Sequence, residues 1–252
     1  MSTRRTGPGT APSDNVRPAG APQCDRSQGH GVNSDQKGLT WQIGVWNQMS
    51  HLYGQEIDRR FSRVVEAVID RASLRRGERV LDLGTGTGAA AIRAAVAVGV
   101  EGRVAGIDIS QEMLKQARET AARLDLPNVD FTEGRAEAIP AEAATFDVVL
   151  ASLSLMYVID RAAAAREISR VLRPGGRFVA AIWSGPASSD IVLFQQTAGS
   201  FAPPPPVPGV GPGALADPSV FLAQLAGAGI EADVHTEVQE FDNEILRRLY
   251  GS

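Results

Sequence analysis

The sequence has few of the residues that build metal centres, disulfide frameworks or membrane spans. Its 252 residues include one cysteine, Cys24, and three histidines. A single cysteine excludes an intramolecular disulfide and disfavours a cysteine-based metal site. The longest apolar stretch, residues 89–100, is interrupted by Arg93 and is shorter than the ~20 residues that a membrane span needs. We therefore expect no metal and no membrane span.

The charge balance is not that of a protein that binds large polyanions. Basic residues number 25 and acidic residues 29, which gives a net charge of −4. Nucleic-acid and anionic-membrane partners usually require a basic surface. Hydrophobic residues make up 43% of the chain and charged residues 21%, as in an ordinary globular protein. We expect a small-molecule ligand and no nucleic-acid partner, and the oligomeric state stays open.

Residues 1–38 differ from the rest of the chain. They contain six glycines and four prolines, and Val16 and Val32 are their only aliphatic residues beyond alanine and Met1. Such a segment cannot bury enough apolar surface to offset the entropy of ordering, so we expect a disordered arm before a domain at 39–252. No apolar segment follows Arg4-Arg5, which argues against export and favours a cytoplasmic location.

From residue 57 onward, helical and strand patterns alternate. After a helix over 57–69, the apolar periodicity predicts strands at 79–83, 103–107, 129–133, 146–151, 177–183 and 231–238, and helices at 89–98, 111–124, 161–172 and 219–228. Apolar strands alternating with helices are typical of a parallel sheet covered on both faces. We predict an α/β fold with a doubly wound, mostly parallel sheet. The Pro/Gly-rich residues 184–218 interrupt the alternation, and we interpret them as a lid insertion.

The strongest motif is a glycine loop between the first predicted strand and the helix after it. Residues 80–88 read Val-Leu-Asp-Leu-Gly-Thr-Gly-Thr-Gly. Glycine permits a positive φ and a close approach of backbone to a ligand, and the following helix directs free N–H groups to the same place. The motif therefore predicts a nucleotide-like ligand at the carboxyl end of the sheet.

Two carboxylates indicate which nucleotide this is. Asp108 follows the last loop glycine by twenty residues, the spacing of an acid that binds ribose hydroxyls. Asp82 lies just before the loop, where it would repel a pyrophosphate but suit an ammonium group. S-adenosylmethionine offers both hydroxyls and an ammonium group. An NAD(P)-dependent reductase on a related fold and a non-catalytic cofactor-binding protein remain alternatives. The reductase would want Tyr-x-x-x-Lys, whereas Tyr157 is followed by Arg161.

Four motifs together resemble the class I S-adenosylmethionine-dependent methyltransferases. Residues 80–88 resemble the first motif of that family, Asp108 its ribose-binding acid, and residues 146–149 and 171–176 two later motifs. The resemblance is greatest to the ubiquinone/menaquinone C-methyltransferase-like group of small-molecule enzymes. It implies a Rossmann-like methyltransferase that uses S-adenosyl-L-methionine. The family's sheet usually has seven strands, and no strand pattern follows 231–238, so we predict six.

The resemblance also implies a cofactor site of thirteen residues. The loop backbone and Asp82 would hold the amino-acid end, Asp108 the ribose, and Ile109 and Met113 the adenine. Residue 135 departs from the family because arginine stands where aspartate is usual, and arginine accepts no hydrogen bond. The implied residues are Tyr53, Asp82, Gly84, Thr85, Gly86, Gly88, Asp108, Ile109, Met113, Arg135, Ala136, Glu137 and Ser152.

The sequence assigns no catalytic residue. Methyl transfer from a sulfonium needs positioning rather than a protein nucleophile, and His51 is the sole candidate for a general base. We expect the acceptor to be an apolar or aromatic small molecule such as a quinol or a polyketide. One set of apolar and aromatic side chains would line its binding site, or else these side chains only pack against one another. That set comprises Leu153, Leu155, Met156, Tyr157, Phe194 and the segment 194–210.

Overall fold

The structure, a computed structural model, describes residues 31–201 and 204–240. A long helix α1 (Gly31–Leu52) leads through a π-helical turn (Tyr53–Ile57) and a short α2 (Asp58–Arg60) into the alternating part of the chain. The elements after α2 are α3 (Ser62–Ala72), β1 (Arg79–Leu83), α4 (Ala89–Val98), β2 (Arg103–Asp108), α5 (Gln111–Arg123), β3 (Val129–Glu133), β4 (Phe146–Ser152), a 3-10 turn (Leu155–Tyr157), α6 (Arg161–Val171), β5 (Leu172–Ala181), α7 (Asp190–Gly199) and α8 (Ser219–Gly227).

The strands form one parallel sheet in the order β3-β2-β1-β4-β5. Val80 of β1 lies opposite Val104 of β2 on one side and Val148 of β4 on the other. The chain runs outward from β1 to β3 and then crosses back to begin β4 beside β1. This reversal creates a crevice at the carboxyl ends of β1 and β4, where open α/β sheets bind their ligands. The predicted doubly wound parallel sheet is confirmed.

Each face of the sheet has its own apolar core, because successive strand residues point to opposite faces. Val80, Val104 and Val148 pack on one face beneath α3, α4 and α5. Leu81 and Val149 pack on the other face with residues of α6 and α8. Strands that are apolar on both sides therefore form the central layer of a three-layer domain, and the site lies at one edge of that layer.

The prediction of a sixth strand at 231–238 is wrong within the residues that the structure describes. Residues 231–238 form no regular element, and among residues 31–201 and 204–240 the sheet has five strands with β5 at one edge. The only large apolar side chains of the segment are Val234 and Val238, and both are exposed, at 49% and 89%. Two valines give too small an apolar stripe to hold a strand on the core, and Glu237 instead pairs with Arg71 of α3. The sequence from Asp242 to Tyr250 also predicts the start of a helix, with Asp242 or Asn243 as its N-cap, and these residues lie outside the part of the chain that the structure describes.

The structure also differs from the prediction in two segments, the N-terminal arm and the Pro/Gly-rich insertion. Helix α1 begins at Gly31, so part of the expected arm is helical. At Gly38, an added Cβ would lie 1.9 Å from the Val207 side chain, so this glycine permits a close helix contact that composition alone conceals. Residues 1–30 lie outside the described residues. The expected irregular insertion at 184–218 contains the ten-residue helix α7, and its role as a lid stays a prediction.

Helix ends and lengths agree with local sequence signals. Ser110 caps α5, because its Oγ accepts the Met113 N–H at 3.1 Å. The Ser110 hydroxyl in turn donates to Asn47 Oδ1 at 2.7 Å, which ties α1 to the start of α5.

Within residues 31–201 and 204–240, none of the helices combines the length and apolarity required to cross a bilayer.

Candidate cofactor site

A single pocket at the carboxyl edge of the sheet brings together nearly all of the predicted site. Of the thirteen residues, twelve line it, and the exception is Gly88, which is the N-cap of α4. The twelve are Tyr53, Asp82, Gly84, Thr85, Gly86, Asp108, Ile109, Met113, Arg135, Ala136, Glu137 and Ser152. The pocket therefore runs across the ends of β3, β2, β1 and β4.

The glycine loop has the backbone that its sequence predicts. Gly84 and Gly86 have φ values of 65° and 55°, in the left-handed region that favours glycine. At Gly84, an added Cβ would lie 2.4 Å from the Ser154 Cβ, so the loop approaches the end of β4 more closely than any side chain permits. Ser154 fastens this contact by donating from Oγ to the Leu83 carbonyl at 2.6 Å.

Asp82 is a buried carboxylate that is only half satisfied. Its Oδ2 accepts the Thr85 hydroxyl at 2.8 Å and the Ala91 N–H at 3.1 Å, whereas its Oδ1 has no partner among the residues that the structure describes. Burial raises the pKa of Asp82 to about 6, with smaller opposing effects from these two hydrogen bonds. A buried carboxylate oxygen without a donor is costly, and an ammonium group would supply that donor. The residue present therefore fits the amino end of S-adenosylmethionine.

Asp108 joins the loop to the end of β2. Its Oδ2 accepts the Gly86 N–H at 2.9 Å, and its Oδ1 accepts the Ser110 N–H at 2.9 Å. Burial raises the pKa of Asp108, and these backbone bonds partly oppose the increase. A carboxylate has about four acceptor positions, so the two oxygens retain capacity for the hydroxyls of a ribose.

The neighbouring strand supplies the next part of the pocket. The segment after β3 is anchored to β2 because the Gly134 N–H donates to the Asp108 carbonyl at 3.0 Å. Arg135 and Glu137 follow and form an ion pair, with Nη2 to Oε1 at 3.3 Å. Met113 is buried and lines the same pocket. This end of the pocket combines an apolar surface with one charged pair.

Three aromatic rings line the opposite end of the pocket. Trp46 packs edge-to-face on Tyr53 and Tyr157, with ring centroids 5.9 and 4.8 Å apart. Gln42 of α1 donates from Nε2 to the Tyr157 carbonyl at 3.0 Å, which joins α1 to the 3-10 turn. Burial raises the pKa of Tyr157 to about 12 and that of Tyr53 well above its ordinary value. Burial therefore keeps both phenols neutral at physiological pH.

Asp58 lines the pocket although sequence reasoning did not identify it. It accepts a hydrogen bond from the Thr87 hydroxyl, and burial raises its pKa. In the helix predicted over 57–69, Asp58 lies between the apolar positions Ile57 and Phe61, as a solvent-facing charge would. The π-helical turn Tyr53–Ile57 adds a residue to one turn and rotates the helix after it, and no signal in the sequence marks that insertion.

Three other expected positions lie elsewhere. His51 is exposed and lines a separate cavity between the π-helical turn, α4 and α5, so the structure does not bring it to the pocket. Met156 is completely buried in the core, and Phe194 on α7 is 71% exposed. The expected acceptor wall is therefore corrected: Leu153, Leu155 and Tyr157 line the pocket, and Met156 and Phe194 do not.

Comparison with known proteins identifies the family. A family model described as a methyltransferase domain matches residues 74–196. The 27-O-demethylrifamycin SV methyltransferase of Amycolatopsis mediterranei (strain S699) is 34% identical over 201 residues, which covers 79% of this chain and 69% of that protein. The chain belongs to the S-adenosylmethionine-dependent methyltransferases. The predicted resemblance is thereby confirmed, and so are the enzyme class and the cofactor.

Two further relatives show how much of this methyltransferase is similar to known proteins. The ubiquinone/menaquinone biosynthesis C-methyltransferase UbiE of Cronobacter sakazakii (strain ATCC BAA-894) is 40% identical over 119 residues, and the match covers 47% of each protein. The match thus spans about half of the UbiE length. A solved S-adenosylmethionine-dependent methyltransferase from Aquifex aeolicus is 25% identical with a TM-score of 0.55, and the match covers 69% of this chain and 83% of that one.

Proposed function

We propose that this methyltransferase transfers a methyl group from S-adenosylmethionine to an apolar or aromatic small molecule. The observation that carries the proposal is the aromatic and aliphatic wall beside the glycine loop, formed by Trp46, Tyr53, Tyr157, Leu153 and Leu155. Such a surface binds a planar or apolar acceptor by removing its apolar area from water. The names of the relatives, a demethylrifamycin methyltransferase and a quinone-biosynthesis C-methyltransferase, support an acceptor of this kind.

In the proposed reaction, the residues bind and orient while the bound cofactor supplies a methyl group activated by its sulfonium. Asp82 holds the ammonium group, and Asp108 holds the ribose. The ring faces of Trp46, Tyr53 and Tyr157 exclude water and restrict the acceptor to the side of the pocket where the methyl group is presented. Holding reacting atoms ~3–3.5 Å apart accounts for much of the rate increase in reactions of this kind. An aromatic face near a cation adds ~0.5–2 kcal/mol.

No protein base enters the proposal. The described lining residues include no histidine, lysine or cysteine, and the two phenols stay protonated because burial raises their pKa values. Of the four lining carboxylates, Asp82 and Asp108 are assigned to the cofactor, Asp58 accepts the Thr87 hydroxyl, and Glu137 pairs with Arg135. Transfer therefore depends on the position and intrinsic nucleophilicity of the acceptor. We expect acceptors such as quinols, which are electron-rich before they lose a proton, to react best.

The experiment compares acceptors of matched size and different polarity. The protein is incubated with methyl-labelled S-adenosylmethionine and with quinols and phenols on one side, and aliphatic amines and dicarboxylic acids on the other. We expect label to transfer only to the first set. Transfer confined to the charged acceptors would overturn the proposal.

A variant pair locates the acceptor wall. Trp46→Ala removes a ring in contact with both tyrosines, so kcat/KM for the acceptor should fall at least ~10-fold. Trp41→Ala, on the same helix, removes a ring that is 45% exposed and outside the pocket, and should leave kcat/KM unchanged. Equal effects of the two substitutions would contradict the assignment of the wall.

A further inference from the structure

The loop that follows β4 is anchored in two separate parts. In its first part, the Leu153 N–H donates to the Ala181 carbonyl at 2.9 Å. Ser154 Oγ donates to the Leu83 carbonyl at 2.6 Å, beside the glycine loop. The second part is the 3-10 turn Leu155–Tyr157, whose first and last side chains belong to the proposed acceptor wall. Whatever fixes this turn therefore fixes the acceptor wall, whereas the cofactor end of the loop has its own anchors.

The carbonyl groups of the turn accept hydrogen bonds from Arg161, the half-buried first residue of α6. Its Nε donates to the Leu155 carbonyl at 3.2 Å, and its Nη2 donates to the Met156 carbonyl at 3.0 Å. Nη2 also donates to the Gly209 carbonyl in the Pro/Gly-rich segment, at 2.7 Å. A cation in the first turn of a helix is unfavourable for the helix dipole. The contribution of Arg161 therefore lies in these three contacts rather than in the stability of α6.

The Pro/Gly-rich segment contacts the same turn at alternate residues. Val207 is buried, Gly209 supplies its carbonyl to Arg161, and the Gly211 N–H donates to the Met156 carbonyl at 2.9 Å. Gly211 has a φ of 129°, a backbone conformation that residues other than glycine rarely adopt. Neither glycine lines the pocket. The segment thus forms a second layer behind the acceptor wall, and Arg161 joins the two layers.

We propose that Arg161 is a positioning residue that sets the shape of the acceptor side of the pocket. Arg161 does not line the pocket itself. It joins two carbonyl groups of the turn to one of the Pro/Gly-rich segment, so Leu155 and Tyr157 are held in place before the acceptor binds. A preorganised wall avoids the entropy cost of ordering these side chains on binding. The inference rests on the proposed function, because it requires that this wall binds the acceptor.

Steady-state methyl transfer to two quinols of different width tests the role in binding. The probes are benzohydroquinone and naphthohydroquinone, which differ by one fused ring. Arg161→Met keeps a long side chain but removes all donors, so KM for each quinol should rise at least ~10-fold while kcat stays within ~3-fold. The ratio of kcat/KM for the two quinols should also change, since a wall that moves discriminates less by size.

Two further variants and one binding measurement make this test specific. Arg161→Lys keeps the charge on a flexible stem without the rigid fork of donors, so it should restore only part of the quinol affinity. Arg166→Met removes an exposed arginine of the same helix and should leave kcat and KM unchanged. Affinity for S-adenosyl-L-homocysteine should be the same in all of these proteins, because Leu153 and Ser154 have separate anchors.

Hydrogen exchange provides a measurement that needs no methyl acceptor. The Val158 N–H donates to the Leu155 carbonyl, and the Gly211 N–H donates to the Met156 carbonyl. Arg161→Met should speed the exchange of both amides at least ~10-fold and leave exchange in β4 unchanged. Unchanged exchange at both amides would overturn the proposal, whatever the acceptor is.

The combined results separate positioning of the wall from support of the fold. Faster exchange with unchanged constants for both quinols would overturn the proposal. So would a parallel loss of quinol turnover and of S-adenosyl-L-homocysteine affinity in Arg161→Met. Failure of the unsubstituted protein to methylate any quinol or phenol would instead overturn the proposed function, and that result requires no variant, so the two failures are distinguishable.

Discussion

Asp82 shows how a single side chain links fold and function. It is 1% exposed, and within residues 31–201 and 204–240 one of its oxygens has two partners while the other has none. A folded protein rarely leaves a buried carboxylate oxygen unpaired without a functional reason. The low solvent exposure that raises its pKa would also strengthen its attraction for the ammonium group of the proposed ligand.

The raised pKa of Asp82 predicts that cofactor binding depends on pH. Burial raises this pKa to about 6, and an ammonium ligand favours the ionised form, so binding lowers the pKa and releases a proton. Affinity for S-adenosyl-L-homocysteine should therefore be constant above about pH 7 and fall several-fold toward pH 5. Calorimetry across this range provides the measurement.

Asp82→Asn provides the control, because it keeps the shape of the side chain but cannot titrate. This variant should bind more weakly near pH 7 and show a shallower pH slope. The slope that remains belongs to Asp108, whose pKa burial also raises. An Asp82→Asn slope as steep as that of the unsubstituted protein would contradict the assigned role.

Asp108 should contribute more to affinity than any surface carboxylate. Asp108→Ala removes the proposed ribose acceptors and also the partner of the Gly86 N–H, so binding of S-adenosyl-L-homocysteine should weaken by ~1.5–3 kcal/mol. Asp130→Ala removes an exposed carboxylate of β3 and should leave affinity unchanged. Unchanged affinity in a correctly folded Asp108→Ala protein would be incompatible with the site.

At the scale of elements, the glycine loop makes a prediction about stability. Gly84 and Gly86 both have positive φ, but only Gly84 has a neighbour where a Cβ would lie, at 2.4 Å from the Ser154 Cβ. Gly86→Ala should therefore cost only the backbone strain of ~1–2 kcal/mol in the free energy of unfolding. Gly84→Ala should cost ~1–3 kcal/mol more, because Ser154 must move. Chemical denaturation of the two variants measures the difference, and equal losses would contradict the close contact of the loop with β4.

The elements also show how far the sequence determines the structure. Strands β1 to β4 and helices α4 to α6 were predictable because long apolar periodicity and capping residues such as Ser110 fix them locally. The strand predicted at 231–238 is absent from the described residues because its two valines bury too little apolar surface to hold a strand on the sheet. Asp58 was missed because a π-helical turn changes helix phase without a sequence signal. Arg135 and Glu137 could be placed by motif, but their ion pair could be seen only in the three-dimensional structure.

At the scale of the whole molecule, α1 forms one wall of the site rather than part of a tail. It contributes Trp46 and Gln42 to the pocket and contacts α5. Gly38 brings its first turns against Val207 in the Pro/Gly-rich segment. The N-terminal helix and the Pro/Gly-rich segment thus contact each other at Gly38 and Val207.

Two truncations test where the functional domain begins. Residues 1–30 contain almost no large apolar side chains, so their removal should leave the melting temperature unchanged. Removal of residues 1–38 also deletes the helical contact of Gly38 with Val207 and should lower the melting temperature by ~2–4 °C for each kcal/mol lost. Thermal unfolding of both proteins is the measurement. A large decrease with the shorter truncation would show that the expected arm packs on the domain.

The central claim is that one pocket binds one cofactor through two carboxylates. The most direct measurement is calorimetric titration of the purified protein with S-adenosyl-L-homocysteine, with NADPH as the competing dinucleotide. The predicted result is binding of S-adenosyl-L-homocysteine at one site per chain that Asp108→Ala weakens and that NADPH neither occupies nor displaces. Binding of NADPH at that site, or no binding of S-adenosyl-L-homocysteine by the folded protein, would contradict the claim.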